Sequence, residues 1–456
     1  MNTLIYTSIL GLLCMVVEIF DFRKILVPMI ILGLATIFYI NIEDWNHVQF
    51  FYNNMLRADN YSVAFSGLAI VISAFVFVLS SDFYKDDSKH ISDYLAILVF
   101  VLCGALIMFS FWNMAMLFLG IEILSISLYI MAGSKRFDVR SNEAGFKYFL
   151  MGSFASGFLL FGIALIYGAT RSFHLANIAA YVAAGNISPI FYVGMTMMLV
   201  AMLFKVAAVP FHFWSPDVYE GAPALVTTLM STLVKIAAFG AFYRLFYVCF
   251  LDTLGSINLI LAIVTSATII LGNLTALSQI NFKRLLAYSG ISHAGYLLLA
   301  LISMKGGTAN AIFYYSSGYA IATIGAFAVA ILVFKAMKNE NIDAFNGLGK
   351  KNPLLAVALT MSMLSLAGIP PFAGFLGKYY IFSEAIKNGQ IALTFIAVLN
   401  SIIGVYYYFK VILAMYTKPA DETEVSGNVS YYVIISVCLL LSVLLGIFPG
   451  VLMHLF

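Results

Sequence analysis

The sequence predicts an all-α polytopic membrane protein of about fourteen transmembrane helices. It further predicts two inverted five-helix repeats in which helices 7 and 12 are discontinuous. Three observations lead there. The chain is 62% hydrophobic and only 10% charged, with a mean hydropathy of +0.99, far outside soluble globular usage. Lys and Arg collect in alternate connecting loops. Finally, two apolar stretches, AAVPF at 207–211 and AGIPPF at 367–372, carry proline inside a span.

At about 20 apolar residues per crossing, the spans fall at 3–20, 24–41, 60–81, 92–109, 111–132, 142–170, 188–219, 224–251, 254–278, 283–302, 306–336, 353–387, 391–416 and 430–455. The first stretch lacks a basic flank and runs into DFRK and another span, so it reads as a retained helix and not as a cleaved leader. With no Pro, Gly or Ser-rich linker in view, residues 1–456 read as a single membrane domain. Within it lie three N-terminal helices (1–91), a first repeat (92–251), an inverted second repeat (254–417) and a C-terminal helix (430–455).

The loops test this count, because cytoplasmic loops are enriched in Lys and Arg. One alternate set holds Arg23, Lys24, Lys85, Lys89, Lys135, Arg136, Arg140, Lys283, Arg284, Lys335, Lys338, Lys350, Lys351 and Lys418. The other holds Arg57, Arg171, Lys305 and Lys387. Both termini are therefore expected on the outer side. The net charge of +3 is explained by those loops and points to no nucleic-acid partner. Cys14, Cys103, Cys249 and Cys438 are isolated in apolar segments without metal or redox spacing, so they read as packing residues.

Pro210 and the pair Pro370 and Pro371 break their spans, because proline removes a backbone hydrogen bond and clashes with the preceding turn, at a cost of about 3 kcal/mol in a helix interior. In hydrocarbon the freed carbonyls also need partners, so a broken helix belongs where protein or a watery cavity surrounds it. Breaks in spans 7 and 12 set a five-helix unit. Five is odd, so each copy enters the membrane from the opposite side, as in many secondary transporters. Ordinary proline kinks are the alternative, weakened by the matching positions and by the lysines beside them.

Five polar groups sit deep in apolar runs: Glu122 in FLGIEILSISLY, Lys205 before the first break, Lys235 in STLVKIAAFGAFYRL, His293 in AYSGISHAGYLLL, and Lys378 after the second break. A central charge costs about 2.5 to 3.5 kcal/mol even on lenient scales, so such residues face the bundle interior and mark ion pathways. Helical spacing puts Glu122 on a face with Ser125 and Tyr129, Lys235 with Thr228 and Ser231, and His293 with Ser289 and Tyr296. The bland readings are a packed histidine and snorkelling lysines. Glu18, Arg244, Glu384 and Lys410, near span ends, read as interfacial or locally paired, and Glu143 with Lys147 as a helix-face pair of open role.

Burial disfavours an ammonium and a nearby carboxylate favours it. At an effective dielectric of about 20, a unit pair attracts by roughly 4 kcal/mol at 4 Å and roughly 2 at 8 Å, so moving the partners a few ångströms apart changes proton occupancy more than tenfold. Such a pair acts as a proton switch, and a broken helix beside it supplies water and mobility.

With these residues in view, the chain resembles the N subunit family of bacterial proton-translocating NADH:quinone oxidoreductase, respiratory complex I, over essentially its whole length. The stretches that carry the resemblance are FKVAAVPFHFWSPDVYEGAPALVTTLMSTLVKIAAFGAFYRL at 204–245, LGIEILSISLY, QINFKRLLAYSGISHAGY and SLAGIPPFAGFLGKYYIF. The first is more similar to subunit N than to its M and L relatives, which share the VPFH-type break. The resemblance implies an antiporter-like fold with a polar axis. It assigns Glu122 and Lys205 as a coupling ion pair, Lys235 as central relay, His293 as connector and Lys378 as terminal relay. It also implies a hetero-oligomer with the M, K and neighbouring membrane-arm subunits and with lipids, in a bacterial inner membrane. FMN, iron-sulfur clusters and quinone would lie on partner subunits, and no cofactor or metal is expected on this chain. One departure is that Lys378 lies eight positions after Pro370 whereas Lys205 lies five before Pro210. A cation/proton antiporter of Mrp type is the alternative function, and a scaffold without transport is a third.

Overall fold

The computed structural model describes residues 2–20, 22–84, 90–304, 307–420, 423–453 and 455–456. Lys85, Lys89 and Lys305, used above for loop charge, lie outside the described residues. The chain opens with α1 (Asn2–Ile19), α2 (Arg23–Glu43) and α3 (Asn60–Phe83). Between α2 and α3 the strands β1 (Gln49–Phe51) and β2 (Leu56–Ala58) pair antiparallel, with Phe51 opposite Leu56. This hairpin is the one departure, among the described residues, from the all-α expectation. Its six residues alternate too weakly to read as strands in a sequence dominated by apolar helices.

Next come α4 (Ile91–Ser110), α5 (Met114–Ala132), α6 (Val139–Thr170), the short α7 (Leu175–Ala183) and α8 (Pro189–Lys205). Helix α7 buries Leu175, Ile178 and Val182 on one face and is too short to cross a bilayer. After a break come α9 (Trp214–Gly221), α10 (Ala224–Leu229), a π turn at Met230–Val234, α11 (Lys235–Leu245), further π and 3-10 turns through Thr253, and α12 (Leu254–Leu277). The remainder is α13 (Phe282–Ile302), α14 (Thr308–Met337), α15 (Leu348–Lys351), α16 (Pro353–Ala367), a second break, α17 (Ala373–Lys387), α18 (Ile391–Thr417), α19 (Val429–Ile447) and α20 (Gly450–Met453).

Among the described residues, eleven helical runs are long and apolar enough to cross a membrane, one of them the 54-residue run Ala224–Leu277. Two shorter apolar helices, α8 and α16, precede the breaks. The chain is thus an all-α, multi-pass membrane protein apart from its small hairpin. Side-chain caps start the helices where the sequence offers them. Asp59 caps α3 in a reciprocal box with Ser62, and Asn113, Asp138, Asn281 and Asn352 cap α5, α6, α13 and α16.

The core sits around α13 and α14, which are buried on nearly every side. Outer helices instead expose bulky apolar groups such as Phe154 on α6, Leu259 on α12 and Phe395 on α18, as expected of surfaces that meet lipid or neighbouring chains. Close packing between α6 and α8 depends on glycine, because a Cβ at Gly162 would lie 2.8 Å from the Gly194 carbonyl.

Groups near span ends have local partners. Arg23 Nε donates to Glu18 at 3.0 Å, Lys387 pairs with Glu384 at 2.8 Å, and Lys410 donates to the Gln279 carbonyl at 3.0 Å. Arg244 donates to Asp59 at 2.6 Å, and the Arg57 guanidinium lies over Trp112 at 4.4 Å. Burial pushes the loop-borne Asp59 carboxyl upward, but the Arg244 charge and hydrogen bond outweigh it and hold Asp59 below the usual carboxylate range. All four cysteines are free and buried.

Candidate ion-relay site

Helix α8 ends at Lys205, and the chain then turns through Val209–Pro210, a cis peptide, before α9 begins. The freed end of α8 is satisfied locally. Ala207 N–H donates to the Phe204 carbonyl at 3.0 Å, Ala208 N–H to Leu203 at 2.9 Å, and the Trp214 indole to Phe204 at 3.1 Å. Lys205 is therefore left to reach another helix. Its ammonium donates to Ser125 on α5 at 2.6 Å and lies 5.9 Å from the centre of the Tyr148 ring. One turn before Ser125, Glu122 accepts from Ser156 of α6. Glu122 and Lys205 are not in ion-pair contact.

Lys235 opens α11 directly after the π turn, a distortion frequent at functional positions. It is 6% exposed and donates to the Gly290 carbonyl at 2.5 Å, with the Tyr319 hydroxyl at 3.5 Å. No charged partner faces it among the described residues. Beside the α8 end Trp214 meets Tyr219 edge-on, and the Tyr219 hydroxyl donates to the carbonyl of Met230, in the π turn that precedes Lys235, at 3.1 Å.

His293 lies on α13 with both ring nitrogens occupied, Nδ1 by the Tyr315 hydroxyl at 2.5 Å and Nε2 by the Tyr408 hydroxyl at 3.0 Å. Tyr319 packs at 4.8 Å and Tyr296 at 5.8 Å, ring centre to ring centre. Tyr319 thus touches both Lys235 and His293. On the other side Lys378 lies 5.3 Å from the Tyr296 ring centre. Its ammonium donates back across the second break to the Ala367 carbonyl, the last of α16, at 2.7 Å. That break holds Pro370–Pro371, also cis, and begins at Gly368, whose φ of +85° favours glycine.

Of the sequence candidates, the structure gathers Lys235, His293 and Lys378 into one tyrosine-walled cluster, and it sets Lys205 near Glu122 behind a pair of serines. Sequence reading missed Ser156, Tyr148, Tyr315, Tyr319 and Tyr408. Each sits on a different helix from the charge it contacts, so periodicity within one helix cannot reveal it. The only sequence signal is a hydroxyl on an otherwise apolar run, as with Tyr315 and Tyr319 four apart on α14. The open pair Glu143 and Lys147 is a 2.7 Å ion pair that continues to Asp217 of α9 at 3.0 Å, and Asp217 in turn accepts from Arg284 at 2.7 Å. Among the described residues, no group of His, Cys, Asp and Glu is arranged to hold a metal ion.

A multi-pass bundle with two broken helices and amines buried beside them is the architecture of antiporter-like membrane subunits, and comparison with known proteins agrees. Residues 112–404 match the family described as NADH:quinone oxidoreductase/Mrp antiporter, TM. The chain is 50% identical to NADH-quinone oxidoreductase subunit N of Flavobacterium psychrophilum, with both chains covered in full, and 47% identical to that of Flavobacterium johnsoniae over the same full extent. A chain in respiratory complex I from Thermus thermophilus superposes with a TM-score of 0.84 at 30% identity, covering 99% of this chain and 98% of that one. A chain of the Mrp complex from Dietzia sp. DQ12-45-1b shares the fold, with a TM-score of 0.89 at 21% identity over 99% of this chain and 95% of that one. The chain belongs to the NADH-quinone oxidoreductase subunit N family.

Proposed function

We propose that this chain is the N subunit of a bacterial respiratory complex I and moves protons across the membrane through its buried amines, driven by redox chemistry on other subunits. Glu122 and Lys205 act as the coupling pair, Lys235 as central relay, His293 as connector and Lys378 as terminal relay. A single observation carries the assignment: buried Lys235, His293 and Lys378 share a cluster of tyrosines while buried Lys205 is held by Ser125 on the helix of Glu122, next to helices broken at Pro210 and at Pro370 and Pro371. Such groups hold and pass protons, and cations repel Na⁺.

Dividing the run Ala224–Leu277 at its 3-10 turn and joining α8 with α9 and α16 with α17 makes fourteen crossings. On this reading residues 92–251 and 254–417 are inverted repeats, flanked by 1–91 and 430–455, and both termini face the periplasm. The loop-face cavity of 780 Å³ lined by Lys135, Arg140, Lys283, Lys335 and Lys338 would then open to the cytoplasm. Neighbours would be the M and K subunits, with FMN, iron-sulfur clusters and quinone on partners. The shared fold of the Mrp chain favours a cation/proton antiporter as second reading, and co-purification with FMN and iron-sulfur partners separates the two. The decisive experiment is Lys205→Ala in intact membranes, scored for NADH:quinone turnover and for the proton gradient. A loss of gradient is expected, and normal values for both contradict the assigned role.

A further inference from the structure

The half-buried Glu122 and the buried Lys205 carry opposite charges that attract, yet each is bound to a serine instead. Lys205 donates to Ser125 Oγ at 2.6 Å, and Ser125 passes its own hydroxyl hydrogen to the Ile121 carbonyl. Ser125 is thus fixed as an acceptor aimed at the ammonium. Ser156, from the neighbouring helix α6, donates to the Glu122 carboxylate. Both serines, Tyr129 and Lys205 line a cavity of 20 Å³. One water needs about 10 to 15 Å³ and two to four polar partners, and these hydroxyls and the ammonium supply them.

The cavity depends on a bare backbone position. A Cβ at Gly152, which also lines it, would lie 2.0 Å from the Tyr129 hydroxyl, so only glycine lets that ring stand where it does. The serines serve neither helix capping nor the hydrophobic core.

We propose that Ser125 and Ser156 are positioning residues that hold Lys205 and Glu122 apart as a separated pair, with room for one water between the two serines and the ammonium. The inference rests on the assignment of Glu122 and Lys205 as the coupling pair. Each serine competes with the opposite charge for its own ion, which keeps the pair able to open and close. Without Ser125 the ammonium turns to the carboxylate and stays there. Without Ser156 the carboxylate does the same from its side.

The test uses membrane vesicles carrying the intact complex, with NADH:quinone turnover and proton uptake measured on the same preparation. Ser125→Ala and Ser156→Ala are each expected to lower proton uptake per NADH, since loss of one charge-assisted hydrogen bond shifts the open-to-closed equilibrium of the pair by roughly tenfold or more. Ser125→Thr, which keeps the hydroxyl, is expected to restore uptake to within about twofold. If both alanine variants pump normally while Lys205→Ala does not, the serine role is wrong and the relay assignment stands. If Lys205→Ala also pumps normally, the relay assignment itself falls. A threonine variant as defective as alanine overturns the proposal by showing that shape and not the hydroxyl matters. Should Ser125→Ala fail to assemble, Ser156→Ala decides alone.

Discussion

The two broken helices place a lysine on opposite sides of the interruption, and their backbones are completed differently as a result. At the first break Lys205 is the final residue of α8, and the loose carbonyls of Leu203 and Phe204 are taken by Ala208, Ala207 and the Trp214 indole. At the second, Lys378 stands one turn into α17 and itself takes the Ala367 carbonyl. The left-handed residue is Ala207 with φ +57° in one case and Gly368 with φ +85° in the other. A lysine ahead of its break is free to meet another helix. A lysine behind it becomes part of the helix end.

The largest effect that probes this contrast is at Gly374, where a Cβ would lie 1.8 Å from the Ser365 carbonyl across the second break. Gly374→Ala is expected to destabilise by about 3 kcal/mol or more and to leave little assembled complex on a native gel. Residues 206–213, which form the first break, contain no glycine at all, so no single methyl can close them in this way.

A smaller effect separates the lysines. Lys378→Met strips the donor from a buried carbonyl, and about 1 to 3 kcal/mol of stability should be lost in thermal melts of the solubilised complex. Lys205 donates to no carbonyl among the described residues, and Lys205→Met leaves the Leu203 and Phe204 carbonyls paired with Ala208, Ala207 and Trp214, so it should lose pumping without that loss of stability. Equal melting of the two variants would erase the contrast.

Trp214→Phe should cost about 1 kcal/mol in the same assay, because Phe204 keeps its bond from Ala207. Smallest of all, Ala207→Gly is expected to stabilise by up to about 1 kcal/mol by relieving a non-glycine residue of left-handed φ. Gly368→Ala should do the reverse, since its Cβ would press on the Lys378 stem at 2.8 Å.

How much of this was legible in the sequence follows from where each signal resides. Apolar runs, alternate basic loops and prolines are properties of one stretch of chain, and the membrane helices and both breaks follow from them. Glu122, Lys205, Lys235, His293 and Lys378 were equally visible, because a charge in an oily run is costly wherever the run ends up. Their partners were not. Tyr408 lies 115 positions from His293, and Ser125 lies 80 from Lys205. The β1–β2 hairpin and α7 were missed for another reason, being too short to leave a periodic pattern.

Hydrophobicity and charge along the chain are one-dimensional quantities, and by themselves they determined that this protein lives in a membrane, where its helices run and break, and which ionisable groups it buries. Only the tertiary structure decided what each buried group touches. That choice depends on which helices come together, so the same residue type, lysine, faces a serine beside one break and caps a carbonyl at the other.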